Sequence, residues 1–160
     1  MQHHNDIIKS LSKTLLRRGQ TVTCAESCTG GLLAAALTAL PGSSAWFNMG
    51  FITYSNQAKQ KLVGVNADTL SSEGAVSEAT VREMAQGALT TAKADYAVSI
   101  SGIAGPEGGS KNKPVGTVWF GLATHTEVYA QQQLFEGDRE AIRTQAVTFA
   151  LSWLALICEA

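Results

Sequence analysis

The chain has 160 residues, the length of one domain and enough to bury a self-supporting core without disulfides or metal. Hydrophobic residues make up 45% and charged residues 16%, which excludes a disordered acidic or basic chain. With 12 Lys and Arg against 13 Asp and Glu the net charge is −1, so the basic excess of a phosphate-backbone binder is missing and a nucleic-acid role is disfavoured.

In chain order, Asn5 is placed to cap a first helix carrying Ile7, Ile8, Leu11, Leu15 and Leu16 at helical spacing, and Gly19 ends it. A short β-favouring strand follows over 21–25. Residues 30–40 read as a small-residue helix stopped by Pro41-Gly42, and 46–54 as an aromatic second strand. Ser55 caps a short helix that contains Lys59 and ends near Gly64. Ser77 starts an amphipathic helix whose Val81, Met84, Ala85, Ala88, Leu89 and Ala92 form one apolar face. A buried strand over 96–100 leads into a glycine-rich loop, 101–113. Strands over 115–123 and 128–135 lie close enough for an antiparallel pair. Asp138 caps a closing helix with Ile142, Ala146, Phe149, Trp153 and Ile157 on one side.

The order α-β-α-β-α-α-β-β-β-α predicts a three-layer α/β/α sandwich with a mixed β-sheet, a single domain over 1–160. No repeat or linker interrupts it. The polar start lacks the apolar region of a signal peptide, and the most apolar stretch, 31–40, is about half a bilayer span. Cys24, Cys28 and Cys158 give an odd count with neither disulfide nor zinc spacing. The expectation is a reduced, cytoplasmic, soluble protein without membrane or nucleic-acid partners.

Three segments sit where a strand ends, the place where ligands collect in open α/β sheets. In Glu26-Ser27-Cys28-Thr29-Gly30-Gly31, Ser27 stands at a helix start, either as a cap or as a nucleophile next to the backbone N–H groups of 29–31. Cys28 is a rival nucleophile or a small buried residue. In Thr53-Tyr54-Ser55-Asn56-Gln57-Ala58-Lys59, Lys59 is a candidate base and Tyr54 a candidate relay; the alternative is a solvated helix lysine. Of the histidines, His3 and His4 are terminal and His125 lies in a hairpin turn, so a Ser-His-Asp triad is poorly supported. The loop 101–109, with Ser101, Gly102 and Gly105, can cradle phosphate or carboxylate, but it matches neither Walker A nor G-x-G-x-x-G. Arg139 and Arg143 are i, i+4 on the closing helix and either share one phosphate or are solvated. Glu26, Glu107 and Asp138 form no obvious metal triad.

Taken together, Ala25-Glu26-Ser27-Cys28-Thr29-Gly30-Gly31, Gly50-Phe51-Ile52-Thr53-Tyr54-Ser55-Asn56 with Lys59, Gly74-Ala75-Val76-Ser77, residues 99–106 and Lys113-Pro114-Val115-Gly116-Thr117-Val118 resemble the CinA C-terminal domain family. The resemblance runs from about Asn5 to the closing helix. It implies hydrolysis of nicotinamide mononucleotide to nicotinate mononucleotide and ammonia, with no metal and no cofactor. It also implies Ser27 as nucleophile, Lys59 as general base and Tyr54 as its partner. Thr29, Gly30 and Gly31 would then supply oxyanion donors, and Arg143 with the 101–109 loop would bind phosphate and ribose. A homodimer is suggested, with Trp46 or the closing helix in its interface. The alternative is a catalytically inactive pyridine-nucleotide-binding regulator with the same loops.

Overall fold

A computed structural model describes residues 2–160: a five-stranded mixed sheet held between two layers of helices, as the order of elements predicts. The elements are α1 (Gln2–Arg18), β1 (Val22–Glu26), α2 (Leu32–Leu37), a 3-10 turn (Ser43–Ala45), β2 (Phe51–Ile52), α3 (Asn56–Val63), α4 (Ala67–Glu73), α5 (Glu78–Ala92), β3 (Tyr96–Gly102), β4 (Thr117–Ala123), β5 (Val128–Leu134) and α6 (Arg139–Glu159). The strand order is β2-β1-β3-β4-β5. β2, β1 and β3 are parallel, because helices carry the chain back between them; β4 follows antiparallel to β3 after the glycine-rich loop, and β5 antiparallel to β4 after a short turn.

Alternation along the central strands divides two cores. Val22 and Cys24 of β1, Val98 and Ile100 of β3, and Val118, Phe120 and Leu122 of β4 face the layer built from α1, α2 and α6. Ala25, Ala97 and Ala123 face α5 instead. The residues on that second face are small for a reason. Ser99 donates a 2.6 Å hydrogen bond to the Val81 carbonyl of α5, and a side chain at Gly121 would collide with the same carbonyl. α5 therefore lies unusually close to the sheet, on the far side from α6.

Several boundaries differ from expectation. The helix over 30–40 is only Leu32–Leu37, because Gly30 (φ 55°) and Gly31 (φ 112°) take left-handed conformations that cannot extend it. The strand over 46–54 is only Phe51–Ile52, with one isolated bridge from Phe47 to Val22. Between them Thr23 donates its hydroxyl to the Met49 carbonyl at 2.7 Å, which occupies the acceptor a longer ladder would use, and Gly50 threads past Cys24 Sγ. α1 begins at Gln2 rather than at an Asn5 cap, and His4 Nε2 pairs with the Thr148 hydroxyl of α6 at 2.6 Å. The polar helix α4, capped by Asn66, was hidden by its composition, since only Leu70 of it is buried. Trp46 lies buried in the larger core and offers no surface to a partner. Finally, α6, not 31–40, is the segment among the described residues long and apolar enough to cross a membrane; eight of its side chains, Ile142 to Cys158, belong to the core between α1, α2 and the sheet.

Candidate active site

Because β2, β1 and β3 run parallel and adjacent, their carboxyl ends bring the three singled-out segments together. Ser27 follows β1, Thr53 and Tyr54 follow β2, and Ser101 and Gly102 end β3. Ser27, Tyr54, Ser101 and Gly102 line a pocket of about 270 Å³ with Lys59 of α3 and Arg139 of α6.

Lys59 is the decisive side chain. Ser55 caps α3 by accepting from the Ala58 N–H at 3.0 Å, and one turn later Lys59 turns inward, with 1% of its surface exposed. A lysine so buried must have its ammonium hydrogens taken up. Nζ donates to Ser27 Oγ at 2.8 Å, to the Thr53 carbonyl at 2.8 Å and to the Tyr54 carbonyl at 3.2 Å. Burial disfavours the charged form and lowers its pKa to about 8. The alternative of a solvated helix lysine is therefore not what the fold builds.

Ser27 is held at its amide by the Ile100 carbonyl of β3 (2.9 Å), and its hydroxyl donates to the Tyr54 carbonyl at 3.3 Å. It does not cap α2. That task falls to Glu26, fully buried, whose carboxylate accepts from the Leu33 and Ala34 N–H groups at 2.8 and 3.0 Å and from the Thr29 hydroxyl at 2.6 Å. Ser27 is thus free to face Lys59. Cys28, next to it, is buried, and burial pushes its thiol up to about 11.

Not every expected residue meets the pocket in the expected way. Tyr54 touches Lys59 and Ser27 through its carbonyl; its phenol is at the rim, the residue being 60% exposed, and the hydroxyl accepts from Arg139 Nη2 at 3.3 Å. Of the expected oxyanion donors, the Gly30 N–H is already bonded to the Ser27 carbonyl at 3.0 Å, whereas those of Thr29 and Gly31 have no acceptor among the described residues. The Thr29 side chain is buried against Glu26. Ser101 and Gly102 line the pocket, and the Gly105 carbonyl accepts from Arg139 Nη1 at 2.8 Å.

The two arginines have different partners. Arg139 enters the pocket, while Arg143 bonds the carbonyls of Cys28 (3.0 Å) and Thr29 (3.3 Å) on the turn that carries Ser27. Glu26 and Arg139 are the residues that sequence reasoning undervalued. Their signals were present: a carboxylate directly before a nucleophile candidate, and an arginine in the first turn of a helix that meets the strand ends.

The geometry has close relatives. The profile of the CinA C-terminal domain matches residues 4–158. The chain belongs to the CinA C-terminal domain family. Within that family it is 57% identical over 147 residues to the nicotinamide-nucleotide amidohydrolase PncC of Escherichia coli K12, covering 91% of this chain and 89% of that one. A putative competence-damage inducible protein of Caldanaerobacter subterraneus is 49% identical over 138 residues, which cover 86% of this chain but 34% of that longer protein. Among solved structures, a CinA superfamily protein from Klebsiella pneumoniae superposes with a TM-score of 0.93 at 44% identity and 99% coverage of both chains. One from Escherichia coli gives 0.92 at 39% identity, covering 98% and 90%. In this CinA domain the strand ends that carry the motifs line the pocket.

Proposed function

We propose that this chain is a nicotinamide-nucleotide amidohydrolase in which Ser27 is the nucleophile and Lys59 its base. The observation that carries the reading is the 2.8 Å contact between Lys59 Nζ and Ser27 Oγ, made by a buried lysine with a pKa of about 8, in a chain 57% identical to a protein of that activity.

The neutral fraction of Lys59 takes the Ser27 proton as Oγ attacks the carboxamide carbon of nicotinamide mononucleotide. Lys59, now charged, returns the proton to the departing nitrogen, and ammonia leaves. Water then gives a proton to Lys59 and attacks the acyl-serine; Ser27 recovers its proton and nicotinate mononucleotide is released. Oxygen charge in both tetrahedral intermediates calls for N–H donors, and the amides of Thr29 and Gly31, free of backbone acceptors, are candidates on the Ser27 turn. These steps are written with protein groups and water alone; among the described residues no group of three or more His, Cys, Asp and Glu is placed to hold a metal ion.

For the phosphate we favour Arg139 over Arg143, because Arg139 is the arginine in the pocket and Arg143 is committed to carbonyls. Its bonds to the Gly105 carbonyl and the Tyr54 hydroxyl hold the fork at the pocket rim. Three buried, unpaired cysteines suit the reducing cytoplasm. The test is direct: the pure protein with nicotinamide mononucleotide should release ammonia and nicotinate mononucleotide in equal amounts. Binding of the nucleotide without ammonia release would instead identify an inactive regulator.

A further inference from the structure

We propose that Arg143 is a positioning residue for the nucleophile: from outside the pocket it locks the turn that carries Ser27, and it takes no part in holding the substrate's phosphate. The turn needs such a lock. Its two glycines, Gly30 and Gly31, both lie at positive φ, and glycine gives the backbone freedom without rigidity. Arg143 reaches across from α6. Nε donates to the Cys28 carbonyl at 3.0 Å and Nη2 to the Thr29 carbonyl at 3.3 Å, so one planar fork fixes two successive peptide groups.

The second of these peptides transmits the hold to Ser27 itself. A peptide group is rigid and planar, so fixing the Thr29 carbonyl also fixes the Gly30 N–H. That N–H donates to the Ser27 carbonyl at 3.0 Å. With the Ser27 amide tied to Ile100 of β3, the nucleophile's backbone is held on both sides. Glu26 completes the clamp from the opposite direction, since its carboxylate holds the Thr29 hydroxyl and the start of α2. The tip of Arg143 lies 3.4 Å from where a side chain on Gly30 would begin, in ordinary contact with the turn, and it is the φ of 55° that favours glycine there.

This inference rests on Ser27 being the nucleophile, and the experiment separates the two. Arg143→Lys and Arg143→Ala are compared with the wild type on nicotinamide mononucleotide and on nicotinamide riboside, which lacks the phosphate. Lysine keeps the positive charge but has one nitrogen where the fork has two. Misplacement of a nucleophile by about 1 Å costs on the order of 100-fold. Both variants should therefore lose about 10- to 100-fold in kcat, by the same factor on both substrates, with KM for the mononucleotide changed less than about threefold and the pH midpoint set by Lys59 unchanged. Added methylguanidinium should restore part of the kcat of Arg143→Ala. Thermal melting checks the fold, and Arg143→Lys carries the test if Arg143→Ala does not fold. A loss confined to the mononucleotide and expressed in KM would overturn the proposal in favour of phosphate binding, as would an Arg143→Lys variant with wild-type kcat. If the wild type itself releases no ammonia and Ser27 is not acylated by p-nitrophenyl acetate, the nucleophile reading falls, and this inference with it.

Discussion

Replacing Lys59 by methionine removes the amine while nearly keeping its length, and it separates what the lysine does for chemistry from what it does to stability. Burial lowers the Lys59 pKa from 10.5 to about 8. That difference, near 2.5 pH units, corresponds to roughly 3 kcal/mol disfavouring the charged form in the folded state. The sign follows from proton counting. Between pH 8 and 10.5 the unfolded chain binds a proton at this site that the folded chain has lost, so folding stability rises with pH across that window. Below pH 8 the whole penalty is present. Urea unfolding of wild type and Lys59→Met at pH 7 and pH 10 should therefore show the wild type gaining on the variant by up to about 3 kcal/mol. Other titrating groups cancel in the difference. Activity moves on the same group: about a tenth of Lys59 is neutral at pH 7, so kcat/KM should rise nearly tenfold from pH 7 to 9 and level off. Lys59→Met should lose about 100- to 10,000-fold in kcat. A stability difference that stays flat with pH, together with a rate that does not rise through pH 8, would refute the argument that burial sets this lysine's pKa.

Ser27→Ala should abolish ammonia release while calorimetry still detects nucleotide binding, whereas Cys28→Ala should keep most of the activity; the reverse pattern would move the nucleophile to the thiol. Arg139→Ala should lower kcat/KM on the mononucleotide by roughly 10- to 150-fold, the worth of one charged hydrogen bond, and leave the riboside almost unaffected in the same steady-state assay. Gly121→Ala places a methyl group against the Val81 carbonyl and the Ser99 hydroxyl, so α5 must shift; a loss of about 1–3 kcal/mol in urea unfolding is expected.

Much of this was legible in the sequence because local rules and global packing agree. Ser55, Ser77 and Asp138 all cap the helices they precede, accepting from Ala58, Thr80 and Ala141. The strand ends that carry 26–31, 53–59 and 101–109 meet because parallel strands put their carboxyl ends on one edge. What was not legible depends on direction rather than composition. An i, i+4 spacing says that Arg139 and Arg143 share a helix face; it does not say that one turn of rise carries the first to the pocket and the second to the Cys28 and Thr29 carbonyls. Likewise Tyr54 is near Lys59 in sequence, yet in the segment after β2 its ring faces outward and its carbonyl makes the contact.

The choice of nucleophile between two neighbours turns on one physical effect acting in two senses. Burial penalises charge whatever its sign. In Cys28 the charged form is the thiolate, so burial raises the pKa to about 11 and leaves about one thiol in 10,000 ionised at pH 7. In Lys59 the charged form is the ammonium, so the same desolvation lowers the pKa to about 8 and makes a useful fraction of free amine. A dry corner at the end of β1 therefore disarms the sulfur and arms the lysine. In the proposed mechanism Ser27 need not ionise beforehand, because its proton would move to an amine already 2.8 Å away as the oxygen attacks. A Ser27→Cys exchange would place a thiol under the lysine instead. It would bring a sulfur more easily ionised than a hydroxyl, on a turn whose carbonyls, amides and glycines are fixed around an oxygen.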